Sequence, residues 1–274
     1  MASTSAGCSG PPETIGDLVK ARRWEEVGEL LAEDPELSFW TDPSNARTPL
    51  HIMCRMDLGE VSTVDTDGEV SGTEFLPAHV EVAQMLIDAS HECEPVILPN
   101  PVRLDSNGEG ESEMYKMHMS VLTVRDYLGD TPLHNLCGHM RSACPYLVQL
   151  ILSSASDSAA AAESDKDNTI SDGDLVEEEK IYSRAPSAYE LLTAKNTHGC
   201  TALHFIGDGS ATWDISKVVI DSCRSIEARM GSKLHPMLVQ DEDGDTPLHF
   251  ACSAGMDPSK LRLFLDSRSS VVHV

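Results

Sequence analysis

The chain has 274 residues and a formal net charge of -25, from 20 Lys+Arg against 45 Asp+Glu. That balance argues against nucleic-acid binding by phosphate neutralisation, which needs a positive stripe. It also contains no run of ~18 apolar residues, the length a membrane-spanning helix requires. The length allows one sizeable core or two small ones. An acidic surface keeps a protein soluble and permits a basic partner.

Residues 1–12 have neither the basic start nor the apolar centre of a signal peptide, and Ala2 replaces the glycine that myristoylation needs. They are expected to be disordered, in a chain made and kept in the cytoplasm or nucleus. The eight cysteines (Cys8, Cys54, Cys93, Cys137, Cys144, Cys200, Cys223 and Cys252) form no CxxC pair, so they read as thiols and not as a disulfide framework. Next comes a pair of apolar-periodic stretches, Ile15–Ala21 and Trp24–Leu31, closed by Asp34-Pro35. This predicts a helical hairpin over 13–42, with Trp24 and Trp40 sealing one end.

Four later segments share one phase: Arg47-Thr48-Pro49-Leu50-His51, Asp130-Thr131-Pro132-Leu133-His134, Cys200-Thr201-Ala202-Leu203-His204 and Asp245-Thr246-Pro247-Leu248-His249. The last three are preceded by Gly129, Gly199 and Gly244, with Asp126, Asn196 and Asp241 three positions further back. Asx followed by glycine is turn chemistry. The threonine is placed to cap a helix, and proline at the first helical position gives up an N–H that would be unpaired anyway. Leucine then enters the core. A histidine recurring at one position points to hydrogen bonding in the turn and not to catalysis. Cys54, Cys137, Gly207 and Cys252 follow each histidine by three and are small. A second helix is predicted after each opening, over Val80–Ile87, Tyr146–Leu152, Ile215–Ile220 and Leu261–Leu265, from apolar residues at helical spacing.

These Thr-Pro-Leu-His openings resemble the ankyrin-repeat family. The resemblance implies an all-α fold, a solenoid of stacked helix-turn-helix units with β-hairpin-like turns and long acidic loop insertions. Residues 13–274 then form a single domain. In it, 13–42 is an N-terminal cap repeat and 43–90 a repeat with an insertion at 57–76. The stretch 91–119 is an insertion, 120–152 a repeat, 153–188 a disordered acidic insertion, 189–235 a repeat and 236–274 a last, uncapped repeat. The histidines lie 83, 70 and 45 residues apart, against about 33 in the family, and the insertions absorb the difference. Residues 57–76, 91–119 and 153–188 supply -16 of the -25 net charge. Ser106, Ser164, Thr169 and Ser171 in these stretches each have an acidic residue three positions on, the pattern that acid-directed kinases favour.

No chemistry-bearing constellation competes. The acidic runs from Asp165 and Asp241 lack the glycine and glutamate positions of an EF-hand. No Walker A loop, Gly-x-Ser-x-Gly elbow or pair of metal-ligand motifs occurs. The chain is therefore expected to be no enzyme and to hold no cofactor and no metal. The resemblance implies a scaffold that binds a protein partner through the concave face of the stack. Carried onto matching positions, the turn-tip residues are Asn45, Arg47, Tyr127, Leu128, Asp130, Thr197, His198, Cys200, Glu242, Asp243 and Asp245. Those on the inner helices are Arg55, Met56, His139, Asp208 and Ser253. The alternative is a truncated regulatory ankyrin segment of a larger enzyme or channel, because 266–274 read as a link into a further repeat. An uncapped last repeat also implies self-association at that end.

Overall fold

The computed structural model describes residues 13–57, 77–93, 96–99, 114–117, 120–138, 144–156, 186–230 and 235–266. They are mainly helical. The helices are α1 (Ile15–Lys20), α2 (Trp24–Glu33), α3 (Pro49–Arg55), α4 (Ala78–Glu92), α5 (Pro132–Gly138) and α6 (Pro145–Ser156). They continue with α7 (Ala188–Thr193), α8 (Ala202–Gly207), α9 (Trp213–Met230), α10 (Pro247–Ser253) and α11 (Pro258–Asp266). A 3-10 turn, Pro35–Phe39, closes the first hairpin and packs against α2 and α4.

Helices of six or seven residues are too short to persist alone, so packing must hold them. The contacts show how. Helices α1, α3, α5, α8 and α10 form one row, each touching the next. Helices α2, α4, α6, α9 and α11 form a second row in the same way. Between the rows runs a continuous core, in which Leu50, Met53, Leu86, Ile87, Leu133, Leu136, Leu147, Ile151, Leu203 and Ile215 are almost fully buried. Burying each such side chain is worth about 1.5–3 kcal/mol. Cys54, Cys137 and Cys223 lie in this core, and burial raises the pKa of all three thiols, that of Cys137 to about 12.

The sequence reading and the structure part in several places. The second-row helices are longer than periodicity suggested: α4 continues to Glu92, α6 to Ser156 and α9 to Met230. The stretch expected to be a disordered insertion from residue 153 therefore begins as helix. Its far end is also ordered. Ser187 caps α7 by accepting from the Glu190 N–H at 3.2 Å, and the Glu190 carboxylate accepts from the Ser187 N–H at 2.7 Å. Within 91–119, β1 (Val96–Pro99) pairs antiparallel with β2 (Met114–Met117), Val96 opposite Met117. Val96-Ile97-Leu98 is a short apolar, partly β-branched run, which suits a strand; the acidic balance of the surrounding stretch hid it. Residues 1–12, most of 57–76 and the four acid-flanked Ser/Thr positions lie outside the described residues.

Candidate interaction surface

Each opening begins with the turn. The Asp126 carboxylate accepts from the Leu128 and Asp130 N–H groups at 2.9 and 3.1 Å. Asn196 Oδ1 accepts from His198 and Cys200 at 2.9 and 3.0 Å, and Asp241 from Asp243 and Asp245 at 3.0 and 2.8 Å. Gly129, Gly199 and Gly244 take positive φ, 73°, 73° and 87°, a conformation that suits glycine. At Gly199 a Cβ would also stand 2.7 Å from the Glu242 nitrogen of the next turn. The first opening differs: Asp42 N–H bonds Arg47 O at 2.9 Å, and Ala46 carries the positive φ of 59°. Asp42 is held to a pKa of about 2, chiefly by hydrogen bonds from the Ser44 hydroxyl and N–H, with Lys20 helping.

The histidines then link one opening to the next. Nδ1 of His51, His134, His204 and His249 accepts from the backbone N–H of Thr48, Thr131, Thr201 and Thr246 at 3.3, 3.2, 3.0 and 3.0 Å. A backbone N–H can only donate, so Nδ1 is unprotonated and the ring proton sits on Nε2. That Nε2–H donates to a carbonyl of the following segment: His51 to Asp130 O at 3.0 Å, His134 to Cys200 O at 3.1 Å and His204 to Asp245 O at 3.0 Å. These three rings are buried, and burial is the largest influence lowering their pKa values. The fourth side chain, His249, is 61% exposed, and no described carbonyl meets its Nε2.

Further bonds join the turn tips. Tyr127 N–H donates to Asn45 O and its hydroxyl to Pro43 O, both at 3.1 Å. Arg47 Nε meets the buried Asp126 carboxylate at 3.1 Å. One step on, Thr197 gives its N–H and hydroxyl to Leu128 O at 3.0 and 2.7 Å. Asn196 donates to Asp130 at 2.9 Å, and Arg125 donates to the Gly129 and Lys195 carbonyls.

The candidate residues accordingly separate into two groups. Arg47, Asp130 and Cys200 serve the joints: Arg47 and Cys200 are half-buried and Asp130 is buried. Arg55 donates to Asn135 at 2.9 Å, Met56 packs on the core, and Asn45 is half-buried beneath Tyr127. Tyr127 and Leu128 are 66% and 50% exposed, and Thr197, His198, Asp208, Glu242, Asp243, Asp245 and Ser253 are exposed as well. His139 lies outside the described residues. Among the described residues, no Lys or Arg forms an ion pair with Asp208, Glu242, Asp243 or Asp245. Sequence reasoning missed Arg125, whose carbonyl bonds follow no motif, and Asn135, whose partner Arg55 is 80 residues away.

No group of three or more His, Cys, Asp or Glu side chains suited to a metal ion occurs among the described residues, nor does a helix long and apolar enough to cross a membrane. No protein-family model matches the sequence, and a search of curated proteins likewise finds no match.

Proposed function

We propose that the chain is an ankyrin-type repeat solenoid and acts as a non-catalytic scaffold, binding a protein partner along its turn tips and the open side of the first helix row. The observation that carries this reading is the pair Tyr127 and Leu128. Large apolar side chains stand in solvent there, while the backbone beneath them is tied to Asn45 on one side and Thr197 on the other. A tied backbone limits the entropy lost on binding, and exposed aromatic and aliphatic anchors are what interface centres use. Carboxylates of Glu242, Asp243 and Asp208 continue the surface and favour a partner with basic residues facing them. Support for the repeat comes from the equivalent cap and histidine at four places in the chain, with an equivalent turn before the last three.

Affinity capture with the full chain as bait tests the reading. Leu128→Ser and the pair Glu242→Lys with Asp243→Lys replace exposed side chains outside the joints, so the fold is expected to persist. Partners that bind the surface should be lost from these variants and retained by Glu29→Lys, a change on the exposed side of α2. If every specific partner stays bound to both surface variants, the assignment of this face fails. Reversing Arg47 or Asp130 would be a poor test, because both maintain the joints.

A further inference from the structure

We propose that the three histidine bridges make the stacking of successive segments acid-sensitive, so that mild acidification loosens the joints His51–Asp130, His134–Cys200 and His204–Asp245. The geometry leaves no room for a charged ring. A proton on Nδ1 would face the backbone N–H of Thr48, Thr131 or Thr201, 3.0–3.3 Å away and able only to donate. The threonine hydroxyl, 2.7–2.9 Å from the same nitrogen, would also have to turn from donor to acceptor. Protonation therefore breaks the helix cap, and the ring that would have to move is the one whose Nε2–H holds the next segment. Cap and joint fail together.

Charged groups of both signs face these rings. Asp126 and Asp130 favour protonation of His51, and Arg47 opposes it. Asp130 and Arg125 stand in the same opposition at His134, as do Asp241 and Asp245 against Lys195 at His204. Burial outweighs the acids at all three, so each folded-state pKa lies below its ordinary value. The unfolded chain therefore binds more protons. The stabilisation is complete above the unfolded histidine value of about 6.5 and is lost as pH falls from there toward the folded values. Carboxylates, which titrate near about 4, lie outside this window. His79 shifts the same way through burial and Arg22 but sits on α4, away from any joint. His249 has the same cap and no joint, which makes it the internal control.

Urea unfolding of the full chain at pH 7.5 and 5.5 tests the proposal. A ring that stays neutral when folded raises the unfolding constant about tenfold over that interval, which is the ceiling for each of the three, and His79 adds to the total. His134→Gln should remove up to about tenfold of the pH effect, and clearly more of it than His249→Gln. Equal pH effects in wild type and a folded His134→Gln would overturn the proposal. If that variant does not fold, ring nitrogen NMR of the wild type decides. A His134 ring still carrying its proton on Nε2 alone at pH 5.5 supports the device; a charged His134 in a chain still folded at that pH refutes it.

Discussion

The turn at Asp126–Asp130 and the turn at Asp241–Asp245 are built from the same parts but stand in different surroundings. In both, an aspartate accepts from the N–H groups two and four residues on, and a glycine supplies the positive φ. The first is then enclosed. Arg47 reaches its aspartate, Asn196 its final carboxylate and His51 its final carbonyl. The second receives the His204 bond, but its Glu242, Asp243 and Asp245 face solvent, and the histidine that follows it is exposed. Local chemistry thus forms the turn in either setting; the neighbouring segment decides whether its polar groups become joints or a surface. In water a hydrogen bond is nearly exchanged for another, whereas a buried donor left unmatched costs about 1–3 kcal/mol. The same substitution should therefore matter more at the enclosed turns.

The comparison can be broken most forcefully in the core. Leu133→Ala, at a site with no exposed surface, should destabilise by about 2–5 kcal/mol in urea unfolding, and half-buried Leu248→Ala by clearly less. Equal losses would mean that the two segments are equally enclosed. Next come the glycines. Gly199→Ala adds a clash with the Glu242 backbone to the cost of positive φ, for a loss of about 2–3 kcal/mol. Gly244→Ala has open space around it and should lose only about 1 kcal/mol. Arg47→Ala leaves the buried Asp126 carboxylate without its cation and should cost about 1–2 kcal/mol, an effect that salt will not abolish because the pair is shielded from solvent. The smallest effect has the opposite sign. Ala46→Gly relieves the one turn that lacks glycine and should change stability by about 0.5 kcal/mol or less, toward the folded state.

How much was legible follows from the range of each interaction. The Thr48, Thr131, Thr201 and Thr246 caps, the glycines and the Asx turns depend on residues within four positions, and the sequence displays them openly. The first and second helices of each pair were readable from apolar spacing, though not their ends, since α4, α6 and α9 run on through polar residues that packing and helix propensity keep in register. Helix α7 is masked in the sequence by the acidic run before it, although the Ser187–Glu190 capping pattern marks its start. The joints were illegible for a different reason. His51 and Asp130 are 79 residues apart and His134 and Cys200 are 66 apart, across insertions of unequal length. Nothing local indicates that Asp130 will be buried or that Arg47 will face inward. The exposed candidates Tyr127 and Leu128 were found through family resemblance, and their isolation from the core became visible only with the fold.

The central claim is that successive segments are coupled through the histidine ring, and unfolding of His134→Ala beside His249→Ala at neutral pH tests it most directly. Both variants lose the same threonine cap contact, so the difference between them reads the joint together with the buried packing of the His134 ring against Phe205. The account predicts a loss at His134 greater than that at His249 by about 1–3 kcal/mol. Equal losses at the two positions would contradict it.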